Sequence, residues 1–596
     1  MSDLPITRLA RQNPFLLVMV LSVTLVVAKA IAAGLGMEAN FATMGNDDIT
    51  RLVMVRDWIA GQGWYDTTQY RMAPPDGVLV HWSRYIDAGI AAIILPLSLF
   101  LPMETAEQIA ATVWPTLILI VTLLVMGFGT RRLFGAVAAC FAVLFTVLWP
   151  LTADVHARAG NLDHHNIQLL MMIILAMAAV WPTRPIAAGV VGGLAAAFSL
   201  STGLEALLFI VGAGVVIFVR GVFGQTAKAA RLLISFCSAL FFGSVLLWLG
   251  LTAPNAWGQP VCDQLGASVL SLVAAAAVGS VLPFAVYRWI SGPVMHIAST
   301  VIITAIGIAL AWPLLGSCIE GPYGSLSPEL QEMISSQITE AKPALVYVQA
   351  HSAAAFVFTL PVVTAMIAGF ALWRVKARQG DWPKAQSTAL GWLLILGVMG
   401  IGMMFNQMRT VIMVASIVPI IGGVVMAVLL QAYLDTRGPM TAVTMFAIAI
   451  AIASPALYLR PFEAFIASDN GSSRKALNDC RQYDGLTALN AIPPARILSP
   501  GNLGPALLWA THHSALSGLY HRSPSAMYHA MAPWRMDEAE FMSVVQGSNA
   551  THLLLCRGRG FPGAYATDLS HGDTTADWLR PVAVDGEHLM LFEILR

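Results

Sequence analysis

Charge is what this chain has least of. Only 11% of its 596 residues are Asp, Glu, Lys or Arg, 57% are hydrophobic, and the mean hydropathy is +0.71. A soluble domain carries about 25% charged residues, so the composition excludes a soluble globular enzyme and implies a polytopic membrane protein. An excess of one sign is missing too. The 33 Lys+Arg balance the 33 Asp+Glu, which removes the basic footprint of a nucleic-acid binder. There is no internal repeat of solenoid length and no low-complexity tract. Cysteine is sparse, with six in all, so a disulfide-dense secreted scaffold is excluded.

What is present is a series of apolar runs. A span needs about 20 apolar residues. Candidates fall near 14–36, 108–129, 134–151, 166–182, 186–200, 205–219, 230–252, 267–289, 294–315, 352–373, 386–405, 411–433 and 440–457, which makes thirteen. Arg8 and Arg11 precede the first run. That run is longer than the roughly 7–15 residues of a signal-peptide core, and we read it as a retained span. The stretch 88–102 is apolar but short and broken by Pro96 and Pro102. Counted as a span it would place Arg131-Arg132 outside, against the positive-inside rule. We therefore assign it to the first external loop as an interfacial or re-entrant segment.

The basic residues then fall into register. Arg8, Arg11, Arg131, Arg132, Arg184, Arg220, Lys228, Arg231, Arg288, Arg374, Lys376, Arg378, Lys384 and Arg437 are cytoplasmic. The external segments are 37–107, 152–165, 253–266, 316–351, a turn near 406–410, and the tail. The predicted fold class is mainly α: a polytopic helical membrane domain over 1–457 and a C-terminal extracytoplasmic α/β domain over 458–596. Cys140 and Cys237 lie in apolar runs and read as packing residues. Cys262, Cys318, Cys480 and Cys556 lie in polar external stretches. Cys262–Cys318 and Cys480–Cys556 are the simplest pairings, and four free thiols are the alternative.

Two polar clusters stand at the ends of apolar helices: Gly45-Asn46-Asp47-Asp48 and Asp163-His164-His165. Acidic and imidazole groups are expensive near hydrocarbon, so such clusters bind ions or do chemistry. The bland reading is helix capping, for which Asp is favoured. Neighbouring residues on a helix sit about 100° apart, so His164 and His165 cannot both face one point, whereas Asp163 and His165 converge if the helix has not begun. A carboxylate with an imidazole suits Mg²⁺ or Mn²⁺, and histidine favours Mn²⁺. Zinc is disfavoured, since no Cys or His-x₃-His spacing accompanies the pair. His81 beside Trp82 reads either as a ligand or as an interfacial pair. Glu340, near Lys342, reads as a solvated ion pair. Arg409 sits in an external turn where positive charge is disfavoured. It suits a lipid phosphate or snorkels to the headgroups.

In this order the motifs resemble GT-C glycosyltransferases, and within them the catalytic subunits of single-subunit archaeal and bacterial oligosaccharyltransferases. Asn46-Asp47 matches the first-loop aspartate. Asp163-His164-His165 matches the second acidic motif, Ile338-Thr339-Glu340 a looser fifth-loop motif, Arg409 the phosphate-binding arginine, and His81 a first-loop metal-binding histidine. The likeness covers roughly the first 460 residues by topology and order. It implies catalytic Asp47, less so Asp48, and a divalent metal, Mn²⁺ or Mg²⁺, on Asp47, His81, Asp163, His165 and Glu340. It also implies a polyprenyl (pyro)phosphate-linked sugar donor on Arg409, inversion at the anomeric carbon, and no nucleic-acid partner. The expected location is the bacterial inner membrane, with the catalytic face periplasmic. The Trp-Trp-Asp-Tyr-Gly signature by which that family reads an acceptor sequon is absent. The nearest polar cluster is Thr511-His512-His513 with Tyr520-His521-Arg522. Glu340, His512, His513, His521 and Arg522 are therefore the acceptor-side expectation, and the acceptor itself, whether glycan, lipid or protein, stays open. The competing reading is a transporter or flippase for a polar or lipid-linked solute. Two-half repetition is not visible, and the polar clusters gather on one face.

Overall fold

The computed structural model describes residues 13–35, 44–224, 227–286, 292–321, 323–324, 326–337, 342–350, 352–380, 382–454 and 471–596. The protein is a polytopic helical membrane protein with a C-terminal α/β portion. Among the described residues, nine helices are long and apolar enough to cross a membrane, and four apolar helices are shorter.

The first loop contributes two further helices, so the order runs as follows. After α1 (Pro14–Gly34) come α2 (Asn46–Ile59) and α3 (Arg84–Ser98). Next are α4 (Met103–Phe134), α5 (Ala136–Leu148), α6 (His165–Val180), α7 (Pro185–Thr202), α8 (Leu207–Phe223) and α9 (Ala227–Leu251). The bundle finishes with α10 (Ala267–Ala285), α11 (Pro293–Leu310), α12 (Ser352–Gln379), α13 (Lys384–Met404), α14 (Val418–Thr436) and α15 (Pro439–Ala453). Each apolar run proposed from the sequence lies on one of these helices. At 1.5 Å per residue α3 is about 22 Å long, short of the roughly 30 Å hydrocarbon core, and interrupted by Pro96.

The cap formed by the first loop and the tail has its own core. Met44, Ile49, Leu52 and Val53 of the first loop and Ile86, Ile90 and Ile94 of α3 pack with Leu503, Leu507, Leu508, Leu554 and Leu591 of the tail. The tail sheet contains β3 (Arg496–Leu498), β4 (Ser514–Ala515), β5 (His552–Cys556), β6 (Leu579–Val582) and β7 (Leu589–Ile594), following a small first-loop hairpin of β1 (Thr68–Gln69) and β2 (Val78–Leu79). Its order is β4-β3-β5-β7-β6. The β3 strand pairs parallel with β4 and β5, while β7 pairs antiparallel with β5 and β6.

An exposed strand edge invites pairing with another chain. Here the first loop covers the β4 edge. The Ala515 amide donates to the Arg71 carbonyl at 2.9 Å, and the Ala73 amide donates to the Ala515 carbonyl at 2.7 Å. The Arg71 guanidinium donates to the carbonyls of Thr511 (2.7 Å), His513 (3.3 Å) and Leu508. That satisfies acceptors at the end of the short helix Gly504–Ala510, which helix geometry leaves without partners. The tail and the first loop thus share one core, and the tail has a second of its own around Leu498, Phe541, Leu553 and Phe592.

Candidate functional site at the external helix ends

The two acidic motifs are stitched together by Asp48. One of its carboxylate oxygens accepts from the Leu162 amide at 2.7 Å and from the Asp163 amide at 2.8 Å; the other accepts from the Gly45 amide at 3.2 Å. Asp48 is buried. Burial, aided by the nearby Asp163 charge, pushes its carboxyl up to about 7 against the pull of those three amides. This position caps α2 and fixes the second loop; the catalytic alternative for Asp48 finds no exposed oxygen to act with. Asp47, one residue earlier, is exposed.

Asp163 sits at the centre of a charge chain. Its Oδ1 accepts from the His164 amide (2.7 Å), from His164 Nδ1 (2.6 Å) and from Arg51 (3.3 Å). Its Oδ2 lies 3.2 Å from His165 Nε2. Beyond it, His164 Nε2 contacts Glu205 at 3.3 Å, and Gln168 donates to Glu205 at 2.9 Å. Burial alone would neutralise these groups. Burial works against protonated His164, but Asp163 and Glu205 outweigh it and lift the imidazole to about 10. Despite burial, His164, His165 and Arg51 hold Asp163 well below the ordinary carboxylate range. Arg51 itself is fully buried, bonded to Asp87 at 3.0 Å and stacked 4.6 Å over the Trp82 ring. A Cβ on Gly203 would fall 2.3 Å from Glu205 and 2.8 Å from His164, so only glycine leaves room for this pair. Nothing local in the sequence pairs Glu205 with a histidine 41 residues away.

The tail enters the site through Tyr520. Its hydroxyl lies 2.7 Å from Thr50 Oγ1 and 3.3 Å from Asp47 Oδ1. Burial and then the Asp47 charge hold that hydroxyl well above its usual range, so it stays protonated and donates. His81, expected beside Asp163, stands instead with His521 and Asp263. Its Nδ1 is 3.9 Å from Asp263, while His521 Nε2 is 2.7 Å from the same oxygen. Arg522 grips Asp263 with two bonds of 2.7 and 2.6 Å. Burial pushes His81 down to about 4, more than the Asp263 charge can offset. His521 and Arg522 therefore do reach the site region. Asp263, in the loop before α10, had no motif to announce it.

His512 and His513 do not. Both His513 ring nitrogens are taken by backbone, the Ala495 amide at 3.1 Å and the Leu489 carbonyl at 2.8 Å. His512 Nε2 bonds the Ile492 carbonyl at 3.1 Å. These bonds fasten the tail. Glu340 and its neighbour Thr339 lie outside the described residues. Arg409 is on a short turn, Met408–Thr410, its Nε bonded to Gln407 at 2.8 Å. The Met408 amide donates to the Lys342 carbonyl at 2.8 Å, so the end of the fifth loop returns beside Arg409. Disulfides join Cys262 to Cys318 and Cys480 to Cys556, with Cα atoms 5.1 and 5.5 Å apart. Cys140 and Cys237 are free thiols.

The second motif fits a divalent cation. Ligand atoms of Asp163, His164 and His165 lie within 4.8 Å of one another. Arg51 and His164 occupy Asp163 Oδ1, and Asp163 and Glu205 engage the two His164 nitrogens. That leaves Asp163 Oδ2 and His165 Nε2 as the donor pair, an oxygen with an imidazole.

No protein-family model matches the chain, and no curated protein does. Solved structures do. The oligosaccharyltransferase AglB from Archaeoglobus fulgidus, in complex with an inhibitory peptide and a dolichol-phosphate, superposes with a TM-score of 0.58 at 14% identity, over 89% of this chain and 69% of that one. The same enzyme in complex with Zn and sulfate gives 0.58, also at 14% identity, over 89% and 68%. Tethered to an acceptor peptide with the NVT sequon, it gives 0.63 at 13% identity over 92% and 70%. The chain shares its fold with these structures.

Proposed function

We propose that this protein is a membrane glycosyltransferase that moves a sugar or oligosaccharide from a polyprenyl (pyro)phosphate donor to an acceptor at the external membrane face. One observation supports this reading: Asp48 accepts from the Asp163 amide, so the loop that carries Asp47 is tied to the loop that carries the Asp163–His165 pair. The fold shared with enzymes crystallised with dolichol-phosphate, with Zn and sulfate, and with acceptor peptide supports it.

In this reading Asp47 orients the acceptor and takes its proton. Tyr520 points the carboxylate by donating to Oδ1. Arg51 holds Asp163 ionised from within the protein, with Oδ2 turned to His165. Arg409 binds the donor phosphate with its planar fork. Asp47, Asp163 and His165 would hold a divalent metal, Mn²⁺ or Mg²⁺, which would supply Lewis-acid neutralisation of charge on phosphate oxygen. Direct displacement inverts the anomeric carbon. A lipid donor accounts for a site at the level of the membrane surface.

The test is transfer from a lipid-linked donor by purified variants, with and without chelator. Asp47→Asn abolishes transfer in a folded protein. Asp163→Asn and His165→Ala recover part of their activity in excess Mn²⁺. Arg409→Ala loses a charge-assisted bond worth roughly 1.5–3 kcal/mol, about tenfold or more in donor use, and lysine restores part of it. Full activity in Asp47→Asn, or indifference to chelator throughout, removes the reading.

A further inference from the structure

Three chain segments that are distant in sequence meet at one carboxylate. His81 comes from the first loop, Asp263 from the loop before α10, and His521 from the tail. Their ligand atoms all lie within 4.8 Å of one another. Donor atoms placed about 2.0–2.2 Å from a tetrahedral or octahedral metal lie about 3–3.5 Å apart. The two distances to Asp263 Oδ2, 2.7 Å from His521 and 3.9 Å from His81, straddle that spacing. The longer one is no hydrogen bond; a simple ion-pair latch between loop and tail leaves His81 Nδ1 without a purpose there.

The surroundings are built to hold these groups still. Cys262, next to Asp263, is tied to Cys318. Arg522 fixes the plane of the Asp263 carboxylate through both oxygens. Such an outer partner orients a ligating carboxylate; Oδ2 meets both Arg522 Nε and His521 Nε2, and the lone pair facing His521 is the one a metal would take. The His81 and His521 rings lie 4.9 Å apart, and Tyr323 packs edge-on against His521 at 5.3 Å. All three ligand side chains are largely buried, at 21, 9 and 14% exposure for His81, Asp263 and His521.

We propose that His81, Asp263 and His521 form a second, structural metal site for a divalent transition metal such as Zn²⁺, separate from the Asp163–His165 pair. Two imidazoles and a carboxylate are a borderline donor set that suits Zn²⁺, Co²⁺ or Fe²⁺ rather than Mg²⁺ or Ca²⁺. Its role is a clasp. Binding fastens the tail to the first loop one residue from Tyr520, and so holds the Tyr520 hydroxyl on Asp47. His521 gives up its bond to Asp263 and turns Nε2 to the metal, releasing a proton if the ring carries one.

The experiment reads metal, not transfer, so it stands whether or not the glycosyltransferase reading does. Full-length protein in detergent is stripped with chelator and titrated with Co²⁺, whose visible absorption reports coordination; Zn²⁺ content is then measured after reloading. The wild type and Asp163→Asn/His165→Gln show the Co²⁺ band and retain the Zn²⁺ equivalent of this site. Added to that double variant, so that the other site is silent, His521→Gln and His81→Gln each lose both. His81→Gln serves if His521→Gln does not fold, because His81 makes no hydrogen bond to Asp263. Zinc raises the melting temperature of the wild type and leaves that of His81→Gln unchanged. A band that survives both histidine variants, a band lost only in Asp163→Asn/His165→Gln, or no band in the wild type overturns the proposal.

Discussion

At the scale of single residues, Asp47 and Asp48 show how adjacent aspartates divide the work. Asp48 accepts three amide hydrogens and is buried; Asp47 is exposed and meets Tyr520. In Asp48→Asn, the amide oxygen keeps the Leu162 and Asp163 bonds while its NH₂ faces the Gly45 N–H. One hydrogen bond goes, about 1 kcal/mol. The melting temperature falls by a few degrees and transfer persists, in contrast to Asp47→Asn. Transfer as weak in Asp48→Asn as in Asp47→Asn contradicts this division. The His164 chain predicts a pH profile. Its folded pKa of about 10 lies above the unfolded value near 6.5. Its stabilisation is therefore complete below about 6.5 and is lost as pH rises toward 10. Asp163 and Glu205 are depressed, so their contribution is present above roughly 4.5 and is lost as pH falls. Thermal melts compared with His164→Gln converge between pH 7 and 10; parallel curves there would refute the chain. The Asp163 and His165 pairing was legible from their offset of two. The Glu205 and Asp263 partners were not, because a contact between residues 41 or 258 apart leaves no local pattern.

Elements were the most legible level. Runs of about twenty apolar residues can satisfy their backbone in lipid only as helices or closed barrels, and each one became a helix. The sheet order of the tail was hidden. Short strands such as Ser514–Ala515 carry almost no alternation, and the cover on that edge is supplied by Arg71 and Ala73, more than 400 residues earlier. Edge and cover make a prediction for the element. Arg71→Met keeps the apolar stem and removes the donors to Leu508, Thr511 and His513. Their carbonyls become buried acceptors without partners, a loss of at least about 1.5–3 kcal/mol. Limited proteolysis then cuts the tail faster, while the span helices stay protected. Unchanged cleavage rates would show that the core around Leu507 and Leu508 holds the tail unaided.

The whole molecule has a direction. Basic residues cluster at one end of the bundle: Arg131 and Arg132 at the end of α4, Lys376 and Arg378 at the end of α12. Both disulfides and both histidine–aspartate clusters occupy the segments expected on the other side. An impermeant maleimide on intact cells labels Asp573→Cys and spares Gln379→Cys, both positions being exposed. Labelling of Gln379→Cys inverts the orientation and removes any external site.

The Tyr520–Asp47 bond joins residues 473 apart. Ribosomes make the chain from its N-terminus, so Asp47 is produced long before the residue that aims it. Contacts of such long range form late and slowly. Every membrane-inserted nascent chain passes through a stage with its helices in place and this carboxylate unaimed. Under the proposed function, completion of the polypeptide is itself the event that arms the site, and a truncated product that stays in the membrane is inert rather than unregulated.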